Sequence, residues 1–211
     1  MKKIYFVRHG QSEGNVGPIR QSAETPLTEK GREQAAYIAK RAKNLPIEAI
    51  VASPMTRAKD TAEVISGEIG LPIEFSDLFV ERRRPSVSLG KPKDDPEMVA
   101  LEEAIKNNFH AAPYTRLSDE ENFEDLKERA GQALDFLASR EEEHILVVTH
   151  GFFLRVVLAL VTLGESLTGE ECGKFVRTFE TENTGVSVFL YDENRPNRWR
   201  LWVWNDHAHL G

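Results

Sequence analysis

The chain has 211 residues, of which 40% are hydrophobic, and this is enough for one domain over residues 1–211 with a buried core and an insertion. Its formal net charge of −7 excludes a protein that coats nucleic acid, so a bound anion must be held by a local cluster of basic side chains. The single cysteine, Cys172, excludes an internal disulfide, and no apolar run has the length of a signal peptide or a membrane span. We therefore expect a cytoplasmic protein with no nucleic-acid or membrane partner.

In the first part of the chain, short β-branched runs alternate with longer helical patterns. Residues 2–7 predict the first strand, and a polar loop leads to a helix over 29–43 that Thr28 can cap. Residues 47–53 predict a second strand, and the pattern after it predicts a helix over 56–69 that ends at a glycine. This alternation is typical of βαβ units around a mostly parallel sheet.

The second part of the chain resumes the alternation after a segment of different composition. Residues 71–81 predict a short strand and its exit, and an insertion that begins rich in Pro, Lys and Arg extends from about 82 to about 125. The further elements expected are helices over 97–109, 121–139 and 152–161 and strands over 144–149, 185–191 and 198–204. The predicted fold is a three-layer α/β/α sandwich with a mostly parallel central sheet and a partly helical insertion over the active site.

Arginine and histidine side chains lie at the ends of three predicted strands. Arg8 and His9 follow the first strand, Arg57 lies one turn into the helix after the second, and His150 follows the strand over 144–149. Ligands of open α/β sheets bind outside the carboxyl ends of the strands, so these four side chains should meet at one edge. Because guanidinium groups match phosphate in bidentate fashion, the cluster predicts a pocket for a dianionic phosphoryl group.

The same cluster offers a nucleophile. His9 is better placed than His150 for in-line attack on phosphorus, and neighbouring arginines should lower its pKa and keep the ring neutral. The leaving oxygen needs a proton, and the candidate acids near strand exits are Glu13, Asp77 and Glu81. From the residues alone, Glu13 and Glu81 remain about equal candidates.

Six short motifs follow one another along nearly the whole chain: RHGQSEGN, PLTEKGREQA, SPMTRAKDTAEVI, FVERRR, VVTHG and ENTGVSVF. In order and approximate spacing they resemble the histidine phosphatase superfamily, also called the phosphoglycerate-mutase-like family. The segment from about 85 to 115 matches least. The tripeptide Arg-His-Gly alone would be weak evidence, and the ordered set is strong.

The resemblance implies a role for each matching residue, and it implies that no metal or organic cofactor is needed. It makes His9 the phosphorylated residue and Glu81 the proton donor, which raises Glu81 above Glu13. It also implies a set of residues around the phosphoryl oxygens and the substrate: Arg8, Asn15, Gln21, Arg57 and His150. Ser22 stands where the family usually has a glycine after this glutamine, so the assignment of Gln21 is the weakest.

The expected function is hydrolysis of the phosphomonoester of a small metabolite through a phosphohistidine. One alternative is a phosphoglycerate-type mutase, which Gly14 disfavours because the family's mutases have a tryptophan there and a longer insertion. A second alternative is a non-catalytic module that binds a phosphorylated ligand, which the complete set of motif residues disfavours. Neither the oligomeric state nor the organic part of the substrate follows from the sequence.

Three further features have competing interpretations. The basic residues after Glu81 are either a lid over an anionic substrate or a solvated loop balanced by nearby aspartates: Arg82, Arg83, Arg84, Lys91 and Lys93. Arg57 has a second interpretation as a surface residue paired with Asp60. His207 and His209 have a spacing that can hold a metal, but no third ligand accompanies them in the sequence, so no metal site is predicted.

Overall fold

The computed structural model describes residues 1–110 and 112–211. Within them, six strands form one sheet: β1 (Lys2–Arg8), β2 (Ala49–Ala52), β3 (Ile73–Phe75), β4 (His144–Thr149), β5 (Val186–Tyr191) and β6 (Trp199–Asp206). The order across the sheet is β3-β2-β4-β1-β5-β6. The first four strands in this order run parallel, and β5 and β6 are antiparallel to their neighbours. The sheet is therefore mostly parallel, as predicted.

In the same described residues, seven α-helices accompany the sheet: α1 (Glu13–Val16), α2 (Glu29–Ala42), α3 (Thr56–Ile69), α4 (Pro96–His110), α5 (Phe123–Ser139), α6 (Gly151–Leu163) and α7 (Gly169–Thr178). The Thr28 hydroxyl accepts a hydrogen bond from Gly31 N and so caps α2. Gly70 ends α3 with φ +77°, a left-handed conformation that glycine adopts without the usual steric penalty.

Alternate side chains of the strands supply two hydrophobic layers. On β1, Ile4 and Phe6 face one side of the sheet and Tyr5 and Val7 face the other. The first pair packs with the buried faces of α5 and α6, and the second pair packs with those of α2 and α3. Helices therefore cover both faces of the sheet, which confirms the predicted three-layer α/β/α sandwich.

Two helices lie outside those that the sequence patterns predict, α1 and α7. For α7 a signal exists, because the Thr168 hydroxyl accepts a hydrogen bond from Glu171 N while the Glu171 carboxylate accepts one from Thr168 N. This is a capping box, visible as Thr-x-x-Glu, although two glycines within the helix weaken the pattern. The predicted second strand is shorter in the structure, Ala49–Ala52.

The segment from 82 to 125 contains a short 3₁₀ helix, Ser86–Ser88, and α4, so it is partly helical as predicted. It packs against the loop after β1 through Arg20, whose buried guanidinium donates to Lys93 O over 2.9 Å and lies 3.1 Å from the Glu102 carboxylate. Lys93 in turn donates to Gly14 O at 2.9 Å. These contacts hold the segment over the loop that carries the residues immediately after His9.

Candidate active site

The register of the sheet brings the predicted strand exits together. Arg8 on β1 pairs with Thr149 on β4, so the next residues, His9 and His150, emerge side by side with ring centroids 5.0 Å apart. β2 lies on the other side of β4, and Ser53 follows it at the same edge. His9, His150 and Ser53, each from the exit of a different strand, are therefore neighbours at one edge of the sheet.

His9 is held as a neutral imidazole with a defined tautomer. Its Nδ1 lies 2.6 Å from Gly10 O, an acceptor, so Nδ1 carries the proton. Arg57 Nε donates to the other nitrogen, Nε2, at 3.3 Å. Burial lowers the pKa of His9 well below its ordinary value, and the charges of Arg57 and Arg8 lower it further. The sequence interpretation named the arginines as the cause, whereas burial is the larger one, and the result is an unprotonated Nε2 near neutral pH.

Arg57 is a buried residue of this cluster rather than a surface residue. Its side chain is 3% exposed, and Nη1 donates to Ser22 O at 3.0 Å. Burial lowers the pKa of Arg57 to about 10, so the guanidinium keeps its charge at neutral pH. The alternative pairing with Asp60 is therefore wrong.

Two donors of the cluster have no hydrogen-bond partner among the described residues. They are Arg8 Nε and His150 Nδ1, and both atoms are buried. The rest of the Arg8 guanidinium is anchored, because Nη1 donates to Thr181 O. Buried polar atoms are normally paired, so two unpaired donors beside the two imidazoles and Arg57 form a cradle suited to an anion.

Ser53 contacts the His150 ring, a role that the sequence interpretation did not assign. The Ser53 hydroxyl oxygen accepts from Met55 N at 3.3 Å and lies 2.9 Å from His150 Nε2, to which it can then donate. With Ser53 as the donor to Nε2, the ring proton lies on His150 Nδ1 and points away from Ser53. Burial, followed by the Arg57 charge, lowers the pKa of His150 well below its ordinary value, so this ring is neutral as well.

The Glu81 carboxylate lies against the N-terminal end of α6, the helix that follows His150. Its carboxylate accepts hydrogen bonds from Phe152 N at 3.2 Å and Phe153 N at 3.0 Å, and a third from Arg82 N at 2.9 Å. It is partly buried, whereas the other two candidate acids, Glu13 and Asp77, are exposed. Of the three candidates, Glu81 is the one whose carboxylate accepts hydrogen bonds from the first turn of the helix after His150.

Asn15 and Gln21 belong to one hydrogen-bond network on the loop after β1. Asn15 Oδ1 accepts from Ser12 N at 2.9 Å, and the Ser12 hydroxyl lies 3.0 Å from both Asn15 Oδ1 and Gln21 Oε1. The Gln21 side chain packs directly on Gly14, where an added Cβ would lie 1.8 Å from Gln21 Cγ. While Gln21 keeps this position, there is no space for a side chain at residue 14.

Two further residues support His9 and its neighbour Gly10. Asn183 Nδ2 donates to His9 O at 2.9 Å, and the Thr61 hydroxyl accepts from Gly10 N at 3.1 Å while donating to Arg57 O at 2.7 Å. Asn183 belongs to the ENTGVSVF motif, and Thr61 lies one turn after Arg57 on α3. Both positions were visible as motif residues, but their partners depend on tertiary contacts.

The remaining candidate side chains have other partners. His209 lies between Arg41 Nη1 at 3.3 Å and the Thr184 hydroxyl at 3.0 Å, and His207 Nδ1 lies 2.9 Å from Asn205 O. Cys172 is buried, which raises its pKa to about 12 and makes the thiol unreactive at neutral pH. Across residues 1–110 and 112–211, no helix is long and apolar enough to cross a membrane.

A model of a known protein family matches almost the whole chain. Residues 4–207 match the family model for the histidine phosphatase superfamily, branch 1. The chain belongs to that superfamily. Among curated proteins, those named probable phosphoglycerate mutase GpmB from Salmonella arizonae and from an Enterobacter species are 27% and 28% identical to it, with 100% of this chain and 95% of each relative covered.

Solved structures of the superfamily share the fold over the whole chain. Bacillus stearothermophilus YhfR has a TM-score of 0.83 and 27% identity, with 100% of both chains covered. A mycobacterial glucosyl-3-phosphoglycerate phosphatase has a TM-score of 0.76 and 23% identity, with 97% of this chain and 99% of that chain covered. An Entamoeba histolytica phosphoserine phosphatase has a TM-score of 0.77 and 22% identity with full coverage of both chains, and its likeness concerns the fold alone. Members of the superfamily are phosphatases or mutases, which supports an enzyme.

Proposed function

We propose that the chain is a phosphomonoester hydrolase that acts on a small phosphorylated metabolite through a phosphohistidine at His9. The observation that carries the proposal is the pair of hydrogen bonds on the His9 ring. The Gly10 carbonyl holds the proton on Nδ1, so the lone pair of Nε2 faces Arg57 in a cluster of positive and neutral donors. We also propose that residues 1–211 act as one domain, in which the segment 82–125 covers the site.

In the first step, His9 Nε2 attacks phosphorus, and the bond from phosphorus to the leaving oxygen breaks. A protonated Glu81 gives its proton to that oxygen, and the alcohol departs. Arg8, Arg57 and His150 Nδ1–H donate hydrogen bonds to the oxygens of the transferring phosphoryl group, whose charge is spread over them in the transition state. The positive charge that the step needs is thus supplied by side chains of this chain.

In the second step, water attacks the phosphorus of the phosphohistidine. The Glu81 carboxylate takes a proton from the water, the nitrogen–phosphorus bond breaks, and its electron pair returns to His9 Nε2. Inorganic phosphate leaves, and Glu81 is protonated again for the next cycle. Asn15 and Gln21 complete the proposed binding site from the loop after β1.

A phosphoglycerate-type mutase is the second candidate, because the GpmB relatives carry that name at 26–28% identity over the full chain. The packing of Gln21 on Gly14 favours hydrolysis, since the tryptophan of the family's mutases would have no room there. The names of the structural relatives include phosphatases. The two reactions share the first step and differ in whether water or a second substrate oxygen receives the phosphoryl group.

The test uses two aryl phosphates and 3-phosphoglycerate in buffer with EDTA. We expect metal-independent release of phosphate from phenyl phosphate and 4-nitrophenyl phosphate. Glu81→Gln should lower kcat/KM, which reports the first step, far more for phenyl phosphate than for 4-nitrophenyl phosphate, because only the poorer leaving group needs the proton. Equal losses of kcat/KM on both substrates would remove Glu81 from the role of acid. Isomerisation of 3-phosphoglycerate faster than release of phosphate would favour the mutase.

A non-catalytic phospho-ligand module, the third candidate, predicts a different result in the same experiment. It would bind phosphate or vanadate and release no phosphate from either aryl ester. The matched control is His207→Gln, an exposed histidine whose ring contacts the Asn205 carbonyl. We expect this variant to keep the activity of the wild type, whereas His9→Gln should abolish it.

A further inference from the structure

A cavity of about 270 Å³ lies between α4, α7 and the beginning of α6. Its apolar floor is formed by Phe109, Phe152 and Val176. The rings of Phe109 and Phe152 pack edge to face, with centroids 5.8 Å apart. We refer to it as the leaving-group cavity, for the reason given below. Its volume is enough for a small organic group and its floor is suited to an apolar or aromatic one.

Basic side chains surround this apolar floor. The Arg82 guanidinium stacks 4.8 Å from the Phe152 ring centroid, and Lys106 and Arg177 extend from α4 and α7 at the exposed rim. Among the described residues, no carboxylate lies within 4.0 Å ion-pair distance of these three cations. In a chain whose net charge is −7, three unpaired cations around one cavity are a local excess suited to an anion.

The one carboxylate of the cavity, Glu102, is already neutralised. Arg84 Nη1 lies 2.6 Å from Glu102 Oε1, and the buried Arg20 lies 3.1 Å from the same oxygen. His110 accepts from Arg177 Nη1 through Nε2 at 3.3 Å, which positions the guanidinium and adds no negative charge. Burial and the neighbouring Arg84 charge lower the pKa of Arg82, as expected for a cation with no partner.

The cavity adjoins the proposed proton donor. Phe152 and Arg82 line the cavity with their side chains, and their backbone N–H groups both donate to the Glu81 carboxylate. The leaving oxygen must come within about 3 Å of that carboxylate to receive its proton. The organic group attached to this oxygen then extends from Glu81, and the leaving-group cavity is the adjacent space.

We propose that the leaving-group cavity binds a second anionic group of the substrate, so that the preferred substrates are phosphomonoesters whose apolar or aromatic part carries a carboxylate or a further phosphate. Phe109 and Phe152 contact the apolar part, and Arg82, Lys106 and Arg177 contact the anion. The proposal rests on the proposed function only for the position of the phosphoryl group. The side chains that carry it, those of Phe109, Phe152 and the three cations, lie outside the phosphoryl site.

Equilibrium binding of phosphonates tests this selectivity without any turnover. The probes are benzylphosphonate, its 4-carboxy derivative and 1,4-xylylene diphosphonate, measured by calorimetry on the wild type. The uncharged methyl ester of the carboxylate controls for size. A charge-assisted hydrogen bond contributes about 1.5 kcal/mol or more, so we expect the added anion to tighten binding about tenfold. The ratio between the two anionic probes tells a carboxylate preference from a phosphate preference.

Variants at the exposed rim test whether the tighter binding of probes with a second anion comes from the cavity. Lys106→Gln and Arg177→Gln should each reduce the gain from the second anion by about threefold or more, and the melting temperature checks that they fold. Lys174→Gln, on the same helix as Arg177 but paired with Glu170, should leave the gain unchanged. An anionic probe that binds no tighter than benzylphosphonate, or a gain that both rim variants retain, would overturn the proposal.

The same measurements separate this proposal from the proposed function. If the aryl phosphates are not hydrolysed while the second anion still tightens phosphonate binding, the hydrolase is wrong and the cavity assignment stands. If phenyl phosphate is hydrolysed through His9 while all probes bind equally, the hydrolase stands and the cavity assignment is wrong.

Discussion

The phosphoryl site and the leaving-group cavity are neighbours built in opposite ways. His9 and Arg57 are each 3% exposed and His150 is fully buried, and all three follow strands of one sheet. The cations at the rim of the cavity, Lys106 and Arg177, are exposed and lie on helices outside the sheet. Burial fixes the protonation states of the two histidines and the directions of the hydrogen-bond donors. The exposed side chains at the rim can be substituted with little effect on the fold. In the proposed account, chemistry and substrate choice therefore depend on separate parts of the molecule.

Removing a charge from the buried site should give the largest effect in this comparison. Arg57→Ala deletes the guanidinium that donates to His9 Nε2 and to Ser22 O. We expect kcat/KM for phenyl phosphate to fall about a thousandfold, the loss typical of a preorganised donor to a developing charge. Arg32→Ala, at an exposed position of α2, is the control and should change the rate by less than about twofold. A loss of similar size in both variants would contradict the distinction between buried and exposed basic residues.

An ion pair between Glu121 and Arg129 holds the backbone on either side of Glu81 and Arg82, and breaking it should affect stability most. Glu121 accepts from Arg129 Nε at 2.7 Å and Nη2 at 2.8 Å, and Arg129 also donates to Val80 O at 2.8 Å, next to Glu81. Glu121→Ala leaves a buried guanidinium unpaired and should cost about 3–5 kcal/mol in the free energy of unfolding. Urea unfolding measures it, with the exposed Glu128→Ala as control. A cost below about 1 kcal/mol would mean that the pair contributes no more than an exposed salt bridge.

The tautomer of His150 offers a smaller and more specific test of preorganisation. Ser53→Ala removes the hydroxyl that lies 2.9 Å from His150 Nε2. We expect kcat to fall by about tenfold to a hundredfold, as for other residues that orient a catalytic imidazole, with little change in KM. Ser53→Thr retains the hydroxyl and should recover part of the rate. Equal rates in Ser53→Ala and the wild type would show that the hydrogen bond does not position His150.

Acid should lower the stability of the fold through the two buried histidines, His9 and His150. The folded pKa values of His9 and His150 lie well below the ordinary value of about 6.5, so below that pH the unfolded chain binds protons that the folded chain does not. Stability is then lost as the pH falls from about 6.5 towards the folded pKa, by at most about 1.4 kcal/mol per pH unit for each ring. Urea unfolding of the wild type and of His150→Gln at several pH values checks this. An identical dependence of the free energy of unfolding on pH in both proteins would contradict this prediction.

Much of the phosphoryl site could be predicted because its residues are adjacent in sequence to strands. Arg8, His9 and His150 directly follow β1 and β4, and parallel strands bring their carboxyl ends to one edge. The pattern of strands and helices was sufficient to predict the layers of the fold and the positions of these three side chains. Glu81 was only one of two about equal candidates from the residues, and the resemblance to the family, not the strand pattern, raised it above Glu13.

The missed features depend on contacts between elements that are distant in the chain. The hydrogen bond of Ser53 to His150 exists because β2 and β4 are neighbours in the sheet, an order that the local pattern does not contain. The leaving-group cavity requires α4 and α7 to pack together, and α7 lies outside the helices that periodicity predicts. The basic residues after Glu81 likewise have different partners. Arg82 lines the cavity, whereas Lys93 donates to Gly14 O on the loop after β1.

The position of the phosphoryl group on the enzyme tests the central claim most directly. Glu81→Gln should still transfer the phosphoryl group from 4-nitrophenyl phosphate, whose leaving oxygen needs no proton, and should then hydrolyse the intermediate slowly because the base is missing. Rapid quenching at alkaline pH followed by peptide mass spectrometry should find one acid-labile phosphoryl group on His9 and none in the variant that also carries His9→Gln. A label on another residue, or one that survives the loss of His9, would contradict the account.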